Sequence, residues 1–101
     1  MAQLSQTVIT AANQWSTSHY IIGWFNVSVW RPSNTTLGGT IVTLQRSFNN
    51  GTTWLDVKLY TAPAEEYGFE PEGATYRIGV KPAQYIVTCT LRLGMEPGMT
   101  H

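Results

Sequence analysis

The segment Thr40-Ile-Val-Thr-Leu-Gln-Arg-Ser-Phe-Asn-Asn-Gly-Thr-Thr-Trp-Leu-Asp-Val-Lys-Leu-Tyr-Thr61 decides the fold. Two runs rich in β-branched and aromatic residues flank a short polar turn, the pattern of a β-hairpin. In the first run, Thr40–Phe48, the side chains of Val42, Leu44 and Phe48 share a face. In the second, Thr52–Thr61, Leu55, Val57 and Leu59 lie on one side, and Trp54, Asp56, Lys58 and Tyr60 take the other. Between the runs, Asn49-Asn50-Gly51 supplies residues that accept positive φ, as tight hairpin turns require. The Ser47 and Asn49 side chains are suited to bond nearby backbone amides, and Trp54 to fold over the turn. Ser47, Asn49, Asn50, Gly51, Thr53 and Trp54 are therefore expected to form a structural hairpin.

The same period-two reading extends outward. Ser5–Thr10 suits an edge strand. Gly23–Arg31 sets Phe25, Val27 and Val29 on one face and Trp24, Asn26, Ser28 and Trp30 on the other. Ala74–Lys81 points Tyr76, Ile78 and Val80 inward, and Gln84–Leu93 does the same with Tyr85, Val87, Cys89, Leu91 and Leu93. Loops are expected at 32–39 and from Ala62 to Gly73, where Pro63 and Gly68 confine any helix to about a turn. Short alternating strands separated by turn signals predict an all-β fold, an antiparallel β-sandwich (jelly-roll or immunoglobulin-like) of six to eight strands. Residues 1–93 read as one domain with an N-terminal arm, and 94–101 as a flexible C-terminal tail.

Composition narrows the function classes. The chain has 101 residues, one domain's worth, and 43% are apolar, which disfavours disorder. Only 12% are charged and the formal net charge is zero, so no bulk field gathers nucleic acid or an anionic membrane. So charge-poor a surface is tolerable where a partner covers it. The single cysteine, Cys89, precludes an internal disulfide and reads as a buried small apolar residue. The first residues lack the basic and apolar regions of a signal peptide, and no apolar run has the length of a membrane helix, so synthesis in the cytoplasm is expected.

The hairpin Ser47–Trp54 resembles the Asp-box, Ser-x-Asp-x-Gly-x-Thr-Trp, of sialidase propeller blades, with Asn49 where that box has Asp. One box cannot build a propeller, so the resemblance is to a turn and not to an enzyme. A wider resemblance runs through Phe25-Asn-Val-Ser-Val29, Gly39–Trp54 and Tyr76-Arg-Ile-Gly-Val80, spanning roughly residues 23–94. Together these look like small β-sandwich virion proteins of tailed bacteriophages. The resemblance implies a non-enzymatic structural part of the particle, first of all a capsid cement or decoration protein at the virion's capsid surface. Its partners would be the major capsid protein and further copies of itself, as a dimer or trimer. Nucleic acid, membrane and cofactor are not expected among them. A carbohydrate-binding module and a tail, fibre or head-closure module are the alternatives.

Candidate contact residues follow from the same reading. Trp24 and Trp30 are expected on an outer sheet face, where indoles serve as interface anchors or stacking platforms. Glu65, Glu66, Glu70 and Glu72 crowd one predicted loop that has no Lys or Arg. It reads as a solvated loop, a patch docking on basic protein, or a weak Ca²⁺ site, though its spacing is not that of an EF-hand. Arg46, interrupting an apolar face, is expected to pair with Asp56 or an acidic-loop carboxylate. His19, in a polar loop, and His101 are isolated, and no nucleophile elbow, zinc motif or phosphate loop is present, which argues against catalysis.

Overall fold

The computed structural model describes residues 2–31 and 36–95. Among them the chain forms seven strands and no helix: β1 (Ala2–Ile9), β2 (Gln14–Trp15), β3 (His19–Trp30), β4 (Val42–Ser47), β5 (Leu55–Tyr60), β6 (Ala64–Val80) and β7 (Cys89–Met95). Every pairing is antiparallel, in the order β1-β7-β3-β6-β4-β5, with the short β2 also on β6. The all-β antiparallel architecture follows from the alternation. Its strands hydrogen-bond as one continuous seven-stranded sheet that encloses a single core.

The sheet turns on β3 and β6. Their register jumps between Ile21↔Ala74 and Gly23↔Glu70, so a single β3 residue faces three on β6. Such a bulge bends both strands. Gly23 and Gly73 both take φ of 90° there, a conformation that suits glycine. Beyond the bend, Ala74–Tyr76 of β6 still pair with His19–Ile21 of β3, while Thr75–Gly79 pair with β4 on the other side. One core results. It joins Ile9 of β1, Phe25, Val27 and Val29 of β3, Val42 and Leu44 of β4, Tyr60 of β5, Tyr76, Ile78 and Val80 of β6, and Leu91 and Leu93 of β7. Each fully buried aliphatic side chain of this set contributes roughly 1.5–3 kcal/mol.

Three expectations need correction. The loop from Ala62 to Gly73 is mostly strand, because β6 begins at Ala64. Its Pro71 falls in the unpaired bulge, where no ladder hydrogen bond needs a proline nitrogen. The run Gln84–Leu93 is strand only from Cys89. Its first part crosses as a loop held by Thr40, whose Oγ1 accepts from the amides of Ile86 (3.0 Å) and Val87 (2.9 Å) and donates to the Val87 carbonyl (3.0 Å). His19 begins β3, opposite Tyr76, and does not lie in a loop. Of the tail expected at 94–101, Gly94 and Met95 extend β7, and 96–101 lie outside the described residues. The chain's first residues likewise belong to the sheet as β1, from Ala2 on.

The hairpin forms between β4 and β5. The Ser47 hydroxyl accepts from the Gly51 amide (2.8 Å) and the Asn49 amide (3.3 Å), and donates to Asn49 Oδ1 (2.7 Å). That same Oδ1 accepts from the Thr53 amide (2.8 Å). Asn50 and Gly51 have φ of 61° and 88°. The Trp54 ring lies over Gly51, where an added Cβ would come within 3.2 Å of it.

Candidate functional site

The register of β3 against β6 and β7 sets out the outer sheet face row by row. Trp24 lies opposite Phe69. Asn26 lies between Tyr67 and Gly94, and Ser28 between Glu65 and Arg92. Trp30 is opposite Thr90, which in turn faces Val8. Trp24 and Phe69 stack at 5.1 Å between ring centroids. Trp24, Phe69 and Tyr67 are 37%, 53% and 68% exposed, with Tyr20 and Ile22 also exposed on β3. Trp24, Phe69 and Tyr67 thus form an exposed aromatic stretch, of the kind that marks interaction sites, while Tyr20 lies across the bulge in a groove with Phe48 and Gly73. Trp30 is half-buried at the other end, in a shallow groove of about 530 Å³ with Ser28, Pro63, Glu65 and Arg92.

The four glutamates do not form one cluster. Alternation sends Glu65 to the outer face, and Glu66 and Glu70 to the inner one. Glu66 accepts from Lys58 Nζ at 2.7 and 2.8 Å, tying β5 to β6 where the two do not pair through their backbones. Glu72 is exposed within the bulge. Glu70 is only 2% exposed and is structural. Its carboxylate accepts from the Tyr76 hydroxyl (2.7 Å), the Glu72 amide (3.2 Å) and Arg46 (3.2 Å). It is therefore withdrawn from any surface contact, and Arg46 has found its partner in the acidic segment instead of at Asp56. Burial pushes the Glu70 carboxyl up, but the Tyr76 and Glu72 hydrogen bonds and the Arg46 charge outweigh it, leaving it below the ordinary range. Burial together with the Glu70 hydrogen bond pushes the Tyr76 phenol up to about 12.

A second polar network lies on the outer face of β4, β5 and β6. Arg77 is held between the rings of Trp15 (4.1 Å) and Trp54 (4.2 Å). Its Nε donates to Gln45 (2.9 Å), which donates to Asp56 (2.8 Å), and Asp56 also pairs with Lys81. This clip joins the hairpin to the β2 segment. Cys89 is fully buried, and burial pushes its thiol up, away from the reactive thiolate form.

Sequence reasoning placed Trp24 and Trp30 on this outer face but missed Tyr67 and Phe69 beside them. The signal was present in the alternation Glu65-Glu66-Tyr67-Gly68-Phe69-Glu70. Gly68 and Pro71 made the stretch read as a loop. No family model, no curated protein and no solved structure matches the chain.

Proposed function

We propose that this chain is a non-enzymatic structural protein of a tailed-phage particle, a capsid cement protein that binds the assembled shell and stabilises it. The supporting observation is the exposed aromatic stretch Trp24–Phe69–Tyr67, on a sheet whose inner face already supplies the core. Leaving so many large rings in water is unfavourable, and a partner that covers them recovers the hydrophobic free energy. Zero net charge removes any long-range barrier to crowding many copies on one shell. The resemblance across residues 23–94 supplies the identity of the partner, the major capsid protein. Binding only to the assembled shell would stabilise it by linkage. Copies grouped at a symmetry axis would pair as dimers or trimers.

The test is co-sedimentation of the purified protein with empty shells assembled from the major capsid protein. Saturable, stoichiometric binding, lost on Tyr67→Glu, is the expected outcome. Absence of shell binding by the wild-type chain would refute the proposal.

A further inference from the structure

We infer that the free edge of β1 is a self-recognition surface, through which two copies of the chain pair their β1 strands antiparallel about a two-fold axis. Such pairing gives the self-association of the proposed function its surface, and to that extent rests on that reading. β1 closes one end of the sheet. β7 occupies one of its edges, and among the described residues no strand occupies the other. An edge strand presents a row of backbone N–H and C=O groups, a ready template for a further strand. The two amides that follow β1, those of Thr10 and Ala11, are taken up by Gln14 Oε1 at 2.6 and 3.0 Å, so the open row ends with Ile9.

The sheet's two ends are built differently. β5, at the far end, carries Asp56 and Lys58, turns Lys58 inward to Glu66 and bulges at Val57. β1, Ala-Gln-Leu-Ser-Gln-Thr-Val-Ile, has no charged residue and no proline. Its one irregularity falls between Gln3 and Ser5, and residues 5–9 run in unbroken register along β7. Val8, within that run, is 53% exposed. Inward charges, prolines and bulges are the means by which native edges avoid pairing, and residues 5–9 use none of them.

That asymmetry selects the partner. Pairing β1 with the β5 edge of a next copy would build an open head-to-tail array, and the guarded β5 edge disfavours it. Pairing β1 with β1 is isologous and closes after two copies. A strand facing its own image meets its own charges, and β1 has none to repel. In the antiparallel ladder the exposed Val8 side chains gain cross-strand neighbours in place of water. The result is one sheet running from β5 of one copy to β5 of the other, with a guarded strand at both ends.

Sedimentation equilibrium of the purified full-length chain over a range of concentrations, with hydrogen exchange read by mass spectrometry at the lowest and highest, tests the pairing. The expected result is a monomer–dimer equilibrium, weakened at least tenfold by Val8→Lys and unchanged by Leu59→Lys on β5. The two positions are matched controls, 53% and 50% exposed. Amides of β1 should exchange more slowly at high concentration while those of β5 do not change, a readout on the wild-type chain that serves if Val8→Lys fails to fold. A chain that stays monomeric, a trimer, a dimer indifferent to Val8→Lys, or protection that appears in β5 instead of β1 would each overturn the inference. Shell binding by a chain that stays monomeric would refute this inference alone. A β1-paired dimer that does not bind shells would refute only the cement proposal.

Discussion

Arg77 shows how one side chain fixes a neighbourhood. Its guanidinium is held between Trp15 and Trp54 while Nε reaches Gln45, so the hairpin, β4 and the β2 segment share one anchor. Lysine cannot reproduce a planar group stacked on two rings. Arg77→Lys is expected to lower stability by about 1–2 kcal/mol, read as a lower urea midpoint with an unchanged slope. Glu70 gives a pH dependence of definite sign. Its folded pKa lies below its unfolded value, so the stability it contributes is full above the unfolded value. That contribution is lost as pH falls below the ordinary glutamate range, about 4.3, through the folded pKa. Thermal melts of the wild-type chain should be flat from neutral pH to about 5 and fall steeply below it. Glu70→Gln should flatten the fall and lower the melting temperature at neutral pH. Asp56 and Glu66, held low by Lys81 and Lys58 respectively, add shallower terms of the same sign.

At the scale of elements, the β4–β5 hairpin and the bend in β6 carry the fold. The hairpin was legible because its chemistry is local. Ser47, Asn49 and Gly51 specify the turn through bonds that span at most four residues. Gly51→Ala should cost about 1–2 kcal/mol, since φ of 88° disfavours any Cβ and Trp54 closes the space; equilibrium unfolding measures it. The first half of β6 was not legible, because Gly68, Pro71 and four glutamates carry the usual signals of a loop. Only the pairing with distant β3 makes that stretch a strand, and sequence alternation does not name a partner. The edge strand β5 teaches a related lesson. Leu55, Val57 and Leu59 are 49%, 43% and 50% exposed on it, yet two features guard the edge. The ladder slips between Leu44 and Gln45, leaving Val57 as a bulge, and Lys58 points inward to Glu66. Bulges and inward charges both disfavour edge-to-edge pairing. Lys58→Val is therefore expected to promote concentration-dependent association, seen by light scattering, where the wild-type chain gives none through this edge.

At the scale of the molecule, the bend sorts aromatic residues between two surfaces. Phe25 and Tyr76 meet in the core, 4.9 Å between ring centroids, while Trp24, Phe69 and Tyr67 stay outside. Reading Trp24 and Trp30 as outward was possible from β3 alone. Seeing that Tyr67 and Phe69 complete the surface, and that Glu70 leaves it, required the register across the bulge. The Trp24–Phe69–Tyr67 stretch is aromatic and the chain has zero formal net charge, so shell binding should vary little with ionic strength. Tyr67→Glu, at a largely exposed position, should leave stability within about 0.5 kcal/mol of wild type. The measurement that bears most directly on the account is therefore the co-sedimentation of wild-type and Tyr67→Glu protein with assembled shells, at low and high salt. The expected result is saturable, salt-insensitive binding by the wild-type chain and loss of binding by the folded variant. A folded wild-type chain that stays in the supernatant, or a variant that binds as well as wild type, would contradict it.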